Sequence, residues 1–333
     1  MEITRRKFVK LAGMVGLVGL TGGLTGCGDK SAAVQGVAEA DKLPVGDKAT
    51  VYFSKTIDAE HLIALYQKIN ADISGKVAIK LHTGEPHGPN ILPREMVKEF
   101  QAQVPNSTII EANVAYGGGR STTERHRQTL QTNGWTFCPV DIIDADGDVD
   151  FPVDNGFHLK KVAMGAHLAN YDSLIVLTHF KGHAMGGFGG SLKNIAIGCA
   201  SGKVGKLQVH GVEDFGKWIT GDTFMELMVD SGSAICNHFG KKITYINVLR
   251  NMSVDCDCSG TSAAAPEMPD LGILASTDIL AVDKASVDMV YNFAGAEKKS
   301  LIERIESRSG LRQLSAMEEH HLGTPNYELV TVD

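Results

Sequence analysis

Hydrophobic and polar positions along this chain fall into short blocks whose period changes. Residues 50–53, 77–81, 108–111, 140–143, 174–177, 243–248, 272–275 and 328–332 are brief apolar runs rich in Val, Ile and Leu, and each predicts a strand. Between them lie stretches whose apolar residues recur every three or four positions. Leu62, Leu65, Tyr66 and Ile69 follow Asp58, a good helix cap, and Met96, Val97 and Phe100 follow Pro93 in a segment ending near residue 104. Residues 122–132, 192–199, 224–239, 282–293, 301–306 and 313–320 are also helical in pattern, whereas residues 162–168 fit neither period. Strands alternating with helices predict parallel βαβ units. The expected fold is α/β, a mostly parallel sheet flanked by helices in a Rossmann-like manner, with two lobes around a site as one variant.

The wholly apolar run at 174–177 reads as a strand buried on both faces. It opens the stretch LIVLTHFKGHAMGGFGGSLKNIAIGCASGKVGKLQVH, residues 174–210. His179 and His183 stand four apart, so both face one ligand if the segment is helical, and imidazoles are common metal ligands. Lys181 and Lys193 suit a phosphate or carboxylate, or act as base or nucleophile when buried. Gly187, Gly190 and their neighbours let backbone approach a ligand.

Two more loops follow predicted strands, at the ends where α/β proteins place ligands. Residues 82–88 offer His82, Glu85 and His87, either as ligands and acid–base groups or simply as a polar turn before Pro93. Residues 113–123 offer Gly117, Gly118, Gly119 and Arg120 ahead of a helix, an arrangement able to cradle an anion, although no dinucleotide fingerprint or P-loop is present. His126 on that helix reads as a surface residue. Asp144, Asp146, Asp148 and Asp150 form a solvated acidic turn, since the glycine and terminal acid of a calcium loop are misplaced.

The first 27 residues stand apart from the fold. Thr4-Arg5-Arg6-Lys7-Phe8-Val9-Lys10 matches a twin-arginine export signal, and Leu24-Thr25-Gly26-Cys27 matches a lipoprotein cleavage box with Cys27 as the lipidated residue. The expected organisation is a signal at 1–27, a tether at 28–47 and one α/β domain at 48–333. The expected location is extracytoplasmic, with the body tethered to a membrane by lipid after passage through the twin-arginine machinery. The whole chain carries a formal charge of −7, and the signal region is its most basic part. An acidic body argues against nucleic acid as a partner. Five cysteines beyond Cys27 form no disulfide scaffold, and the absence of C-x-x-C runs argues against an iron–sulfur cluster. Cys256-Asp257-Cys258 is too tight for a zinc knuckle and reads as an exposed loop.

The segments KGHAMGGFGGSLKNIAIGCAS, VAIKLHTGE, ANVAYGGGRSTTERH and MPDLGILASTDILAVDKASVDMV resemble the DUF362 family, over roughly residues 48–330. Many members of that family carry a ferredoxin-type insert, which the cysteine pattern here lacks. More distantly, the glycine-rich segment is similar to the lactate racemase family, which binds a nickel-pincer nucleotide. There a histidine precedes the cofactor-bearing lysine by ten residues, a spacing that His183 and Lys193 share, and His210 lies near the place of a further metal-ligand histidine. That family's T-G-x-H-R motif corresponds to residues 117–120, where Arg120 is kept but Gly119 replaces the acid–base histidine. The resemblance thus implies a metal or metal–organic cofactor without implying hydroxy-acid racemisation.

The expectation that follows is a cofactor-dependent site acting on a small anionic metabolite by redox or isomerisation chemistry. Lys193 and His183 are its candidate catalytic residues, and His179, His183 and His210 its candidate metal ligands. Gly117, Gly118, Arg120, Lys181, Gly187 and Gly190 are its candidate ligand cradle. An envelope protein that binds such an anion without turnover, or a cofactor-maturation factor, fits the same residues.

Overall fold

In a computed structural model of the chain, residues 48–212 and 218–333 are described. The twin-arginine motif, the lipobox with Cys27 and the tether lie outside the described residues. The predicted strands and helices form, with shifts of a few residues at their ends. In chain order they are β1 (Ala49–Ser54), α1 (Ala59–Gln67), β2 (Val77–Lys80), α2 (Arg94–Ala102), β3 (Ser107–Glu111), α3 (Thr123–Thr132), β4 (Val140–Ile142), β5 (Asp148–Pro152), β6 (Lys161–Gly165), β7 (Ser173–His179), β8 (Lys181–His183), β9 (Gly187–Gly189), α4 (Ser191–Ala196), α5 (Gly205–Val209), α6 (Asp222–Phe239), β10 (Ile243–Leu249), β11 (Gly272–Ser276), α7 (Ile279–Asn292), α8 (Lys299–Ser307), α9 (Arg312–Glu319) and β12 (Tyr327–Thr331). The stretch at 162–168 divides between β6 and a following 3₁₀ turn.

Eight strands make one sheet in the order β12-β1-β11-β10-β7-β2-β3-β4. All its pairings are parallel except the two made by β11, so β11 alone runs against the others. The sheet is covered on both faces, which explains why its central strands are apolar throughout rather than alternating. Ile79, Ile109, Ile175, Leu177 and Val248 point to one face and pack on Leu62, Leu65, Val97 and Phe100 of α1 and α2. Ala78, Ile110, Leu174, Val176 and Leu249 point to the other and pack against α4, α6 and α7 through Leu192, Ile195, Met228, Val229 and Val282. Successive side chains of a strand take opposite faces, so the single apolar run 174–177 supplies both cores.

This topology positions the site. The parallel neighbours β10, β7, β2 and β3 end at one edge of the sheet, and the loop after each emerges there. Three of those loops are the ones singled out by composition. The fourth, after β10, carries Cys256 and Cys258.

Candidate functional site

The glycine-rich segment is not the helical loop that would align His179 with His183. Backbone stays extended through β7 and β8, and β8 folds back on β9 as a hairpin. Four residues of extended chain span about 13 Å, so the two rings go to different places. His179 Nδ1 faces Asp257 at 2.9 Å and its Nε2 faces the Arg250 carbonyl at 2.7 Å. With both ring nitrogens on oxygen acceptors, His179 offers no lone pair to a metal, and the sequence expectation for it is corrected.

Its neighbours instead surround a cavity of about 340 Å³ at the carboxyl edge of the sheet. Lys181, His183, Gly190, Lys193 and His210 line it together with Arg120, as do Lys80, His82, Glu111, Tyr116, Lys206, Trp218 and Cys258. Gly117, Gly118 and Gly187 do not. The glycine at 187 is needed elsewhere: its φ is +76° and a Cβ there would stand 2.7 Å from the Gly310 Cα. At Gly190 the space a Cβ would take is filled by the Asp283 carboxylate, 2.4 Å away, so this glycine admits a protein group. That carboxylate accepts the Ser191 and Leu192 amides at 2.7 and 2.9 Å and caps α4, the short helix that presents Lys193. After the Gly117–Arg120 turn the Thr122 hydroxyl accepts the Arg125 amide, so α3 is capped by a residue of the chain itself.

One wall of the cavity is built of ion pairs. Glu111 is buried and accepts from Lys80 Nζ at 3.0 Å, from the Thr83 amide at 2.8 Å and from Arg120 at 3.4 Å. Arg120 Nε also donates to Glu85 at 2.8 Å, and the Tyr116 hydroxyl donates to the same carboxylate. Burial opposes ionisation of Glu111, but Lys80, His82 and Arg120 outweigh it and hold the carboxyl well below its ordinary range. Arg120 is therefore already matched by two acids of the chain.

The other wall is different. Lys193 Nζ has the Cys256 sulfur 3.7 Å away, and Lys206 Nζ donates to the Ala200 carbonyl at 2.6 Å. Neither makes an ion pair among the described residues. Burial pushes Lys206 down to about 8. His210 Nδ1 bonds the Lys206 carbonyl at 2.6 Å, which leaves its Nε2 as the lone-pair atom, and burial lowers it to about 4. His183 is held well below its ordinary value by burial and by the Lys193 charge, and its Nδ1 accepts the Gly186 amide at 2.9 Å. Lys181 is pulled down by burial yet raised overall by Asp257, 3.0 Å away, and by Cys256.

The Cys256–Cys258 loop is the largest departure from the sequence reading. Cys256 is wholly buried rather than exposed, and its sulfur, that of Cys258 and a nitrogen of His183 lie within 4.8 Å of one another. A hydrogen bond from Cys258 lowers Cys256 well below an ordinary thiol against the effect of burial, and the same bond raises Cys258, so the pair shares a proton. Lys80, Glu111 and Lys206 were not singled out from sequence, and the two cysteines were read as an exposed loop. Two signals were there to read: Lys80 and Glu111 are the charged ends of otherwise apolar strands, and Cys256-Asp257-Cys258 follows a parallel strand.

A family model described as a domain of unknown function, DUF362, matches residues 77–288. The chain belongs to the DUF362 family. That span contains every residue of the cavity wall named above. Among solved structures, the lactate racemase apoprotein from Thermoanaerobacterium thermosaccharolyticum is 12% identical with a TM-score of 0.41, over 73% of this chain and 57% of that one. A protein from Thermotoga maritima is 8% identical with a TM-score of 0.40, over 76% of this chain and 60% of that one. The DUF362 chain thus spans less than two thirds of either, and similarity at this level carries no argument about chemistry. No curated protein matches it.

Proposed function

We propose that this cavity takes a small anionic metabolite, carboxylate- or phosphate-bearing, and acts on it by redox or isomerisation chemistry with a metal or metal–organic cofactor. One observation carries the reading. Five buried cationic side chains meet at one cavity, and two of them, Lys193 and Lys206, have no carboxylate partner of their own. A buried ammonium without a carboxylate partner is costly, and an anionic ligand in the cavity offsets that cost.

The residues fit a metal-bearing group. His210, whose Nε2 keeps the lone pair, lines the cavity together with Lys193 and His183. When bound, such a group supplies the electron-pair acceptor that carbon-centred redox or isomerisation steps require. The chain's own residues orient the anion through Lys193 and Lys206. With its Nδ1 accepting the Gly186 amide, neutral His183 keeps its ring proton on Nε2 and is set to donate a hydrogen bond. Arg120 and Lys80 position this machinery through Glu85 and Glu111. From the N-terminal sequence we further place the activity outside the cytoplasm, on a lipid tether at Cys27.

The test is calorimetric titration of the full chain with phosphate and with small mono- and dicarboxylates, alongside intact-mass and metal analysis of protein from its native host. Binding by at least one anion that Lys193→Met weakens tenfold or more supports the reading. Absence of any anion binding, with no retained metal and no mass adduct, overturns it.

A further inference from the structure

We propose that Cys256, Cys258 and His183 form a three-ligand site for a thiophilic divalent cation of the zinc class, with its fourth position open to the cavity. The proposal deepens the reading above, and rests on it only for what occupies the fourth position.

The local backbone assembles the set. Cys256 sits in extended conformation at the start of a 3₁₀ turn, Asp257–Ser262. Asp257, between the cysteines, is committed to Lys181 at 3.0 Å and His179 at 2.9 Å, which anchors the loop and explains the burial of both basic residues. The two sulfurs are thereby left together on the side of His183. The three donor atoms lie within 4.8 Å of one another, whereas donors around a tetrahedral zinc stand roughly 3.5–3.8 Å apart, so the set closes by about 1 Å.

Charge and softness point the same way. Two thiolates neutralise a dication, which favours bringing two sulfurs this close together. The Lys193 ammonium, 3.7 Å from the Cys256 sulfur, is placed to donate a hydrogen bond to a metal-bound thiolate. Thiolate and imidazole select zinc-like cations over magnesium or calcium. Three protein ligands with an open position are the arrangement of a catalytic rather than a structural zinc. Cys258 lines the cavity and Cys256 lies behind it, so the open position faces the cationic wall. An anionic ligand would then meet the metal with one oxygen and Lys193 with another. His183 joins by giving up the Gly186 amide to its Nδ1, which makes it the weakest of the three ligands.

The experiment is titration of the full-length, reduced, metal-free chain with Co²⁺, followed by displacement with Zn²⁺. One equivalent should bind, with intense sulfur-to-cobalt absorption in the near ultraviolet and the visible bands of a tetrahedral centre. Cys258→Ser, at a half-buried position, should fold and weaken binding at least a hundredfold, and His183→Ala should weaken it less. Cys138→Ser, on the opposite face of the sheet, should change nothing. Cobalt binding without the sulfur absorption, or undiminished in Cys258→Ser, overturns the proposal, as does no binding while both thiols remain titratable. Anion titration of the same metal-free protein separates the two failures: anion binding without cobalt binding sinks only the metal site, and the converse sinks only the anion reading.

Discussion

The two walls of the cavity are made from similar residues and behave differently. On the wall formed by the loops after β2 and β3, Lys80 and Arg120 are neutralised by Glu111 and Glu85. On the wall formed by the hairpin, α4 and α5, Lys193 and Lys206 face a sulfur and a carbonyl. Buried charge is tolerated when paired, so the first wall is a scaffold that stands without a ligand. The second is left to be completed by something that enters the cavity. Composition alone would have ranked Arg120 and Lys193 alike, and their partners are what distinguish them.

Breaking the paired wall should give the largest effect on folding. Glu111→Leu leaves Lys80 and Arg120 buried without their shared carboxylate, and a loss of about 3–5 kcal/mol is expected in urea unfolding. If Lys193→Met costs as much, the contrast between the walls is wrong. A pH series sharpens the comparison from the other side. Lys206 is cationic below about 8 and neutral above, so anion affinity should fall as pH rises through about 8, and Lys206→Met should flatten that profile.

A smaller, global effect comes from histidines held neutral by burial. His210 is lowered to about 4 and His126, buried against Asn113 rather than exposed as its sequence context suggested, to about 3. Both titrate near 6.5 once unfolded, so the unfolded chain takes up protons first. Their contribution is present above about 6.5 and is lost as pH falls toward 4. Denaturation midpoints at pH 7.5, 5.5 and 4.5 should therefore decline in order, and His126→Asn should shallow the decline.

Periodicity was enough to read the strands and helices. Their parallel order was enough to expect the loops after residues 81, 111 and 177 on one rim. Local pattern carries that information because burial of one or both faces imposes it residue by residue. His183 and Lys193, ten residues apart, both line the cavity. What local pattern could not carry was direction. Whether His179 and His183 share a face depended on the backbone between them being extended, and that was decided by pairing of β8 with β9 and by Gly182, whose amide bonds the Ser253 carbonyl. The sequence by itself determined an α/β body and the chemistry available at one end of its strands. Only the tertiary structure decided which cations were neutralised by Glu85, Glu111 and Asp257, and which cysteines came to His183. Apart from Arg120 with Glu111, those pairings join residues roughly 30 to 80 positions apart, and burial, which makes an ion pair or a thiolate matter, is a property of the packed chain alone.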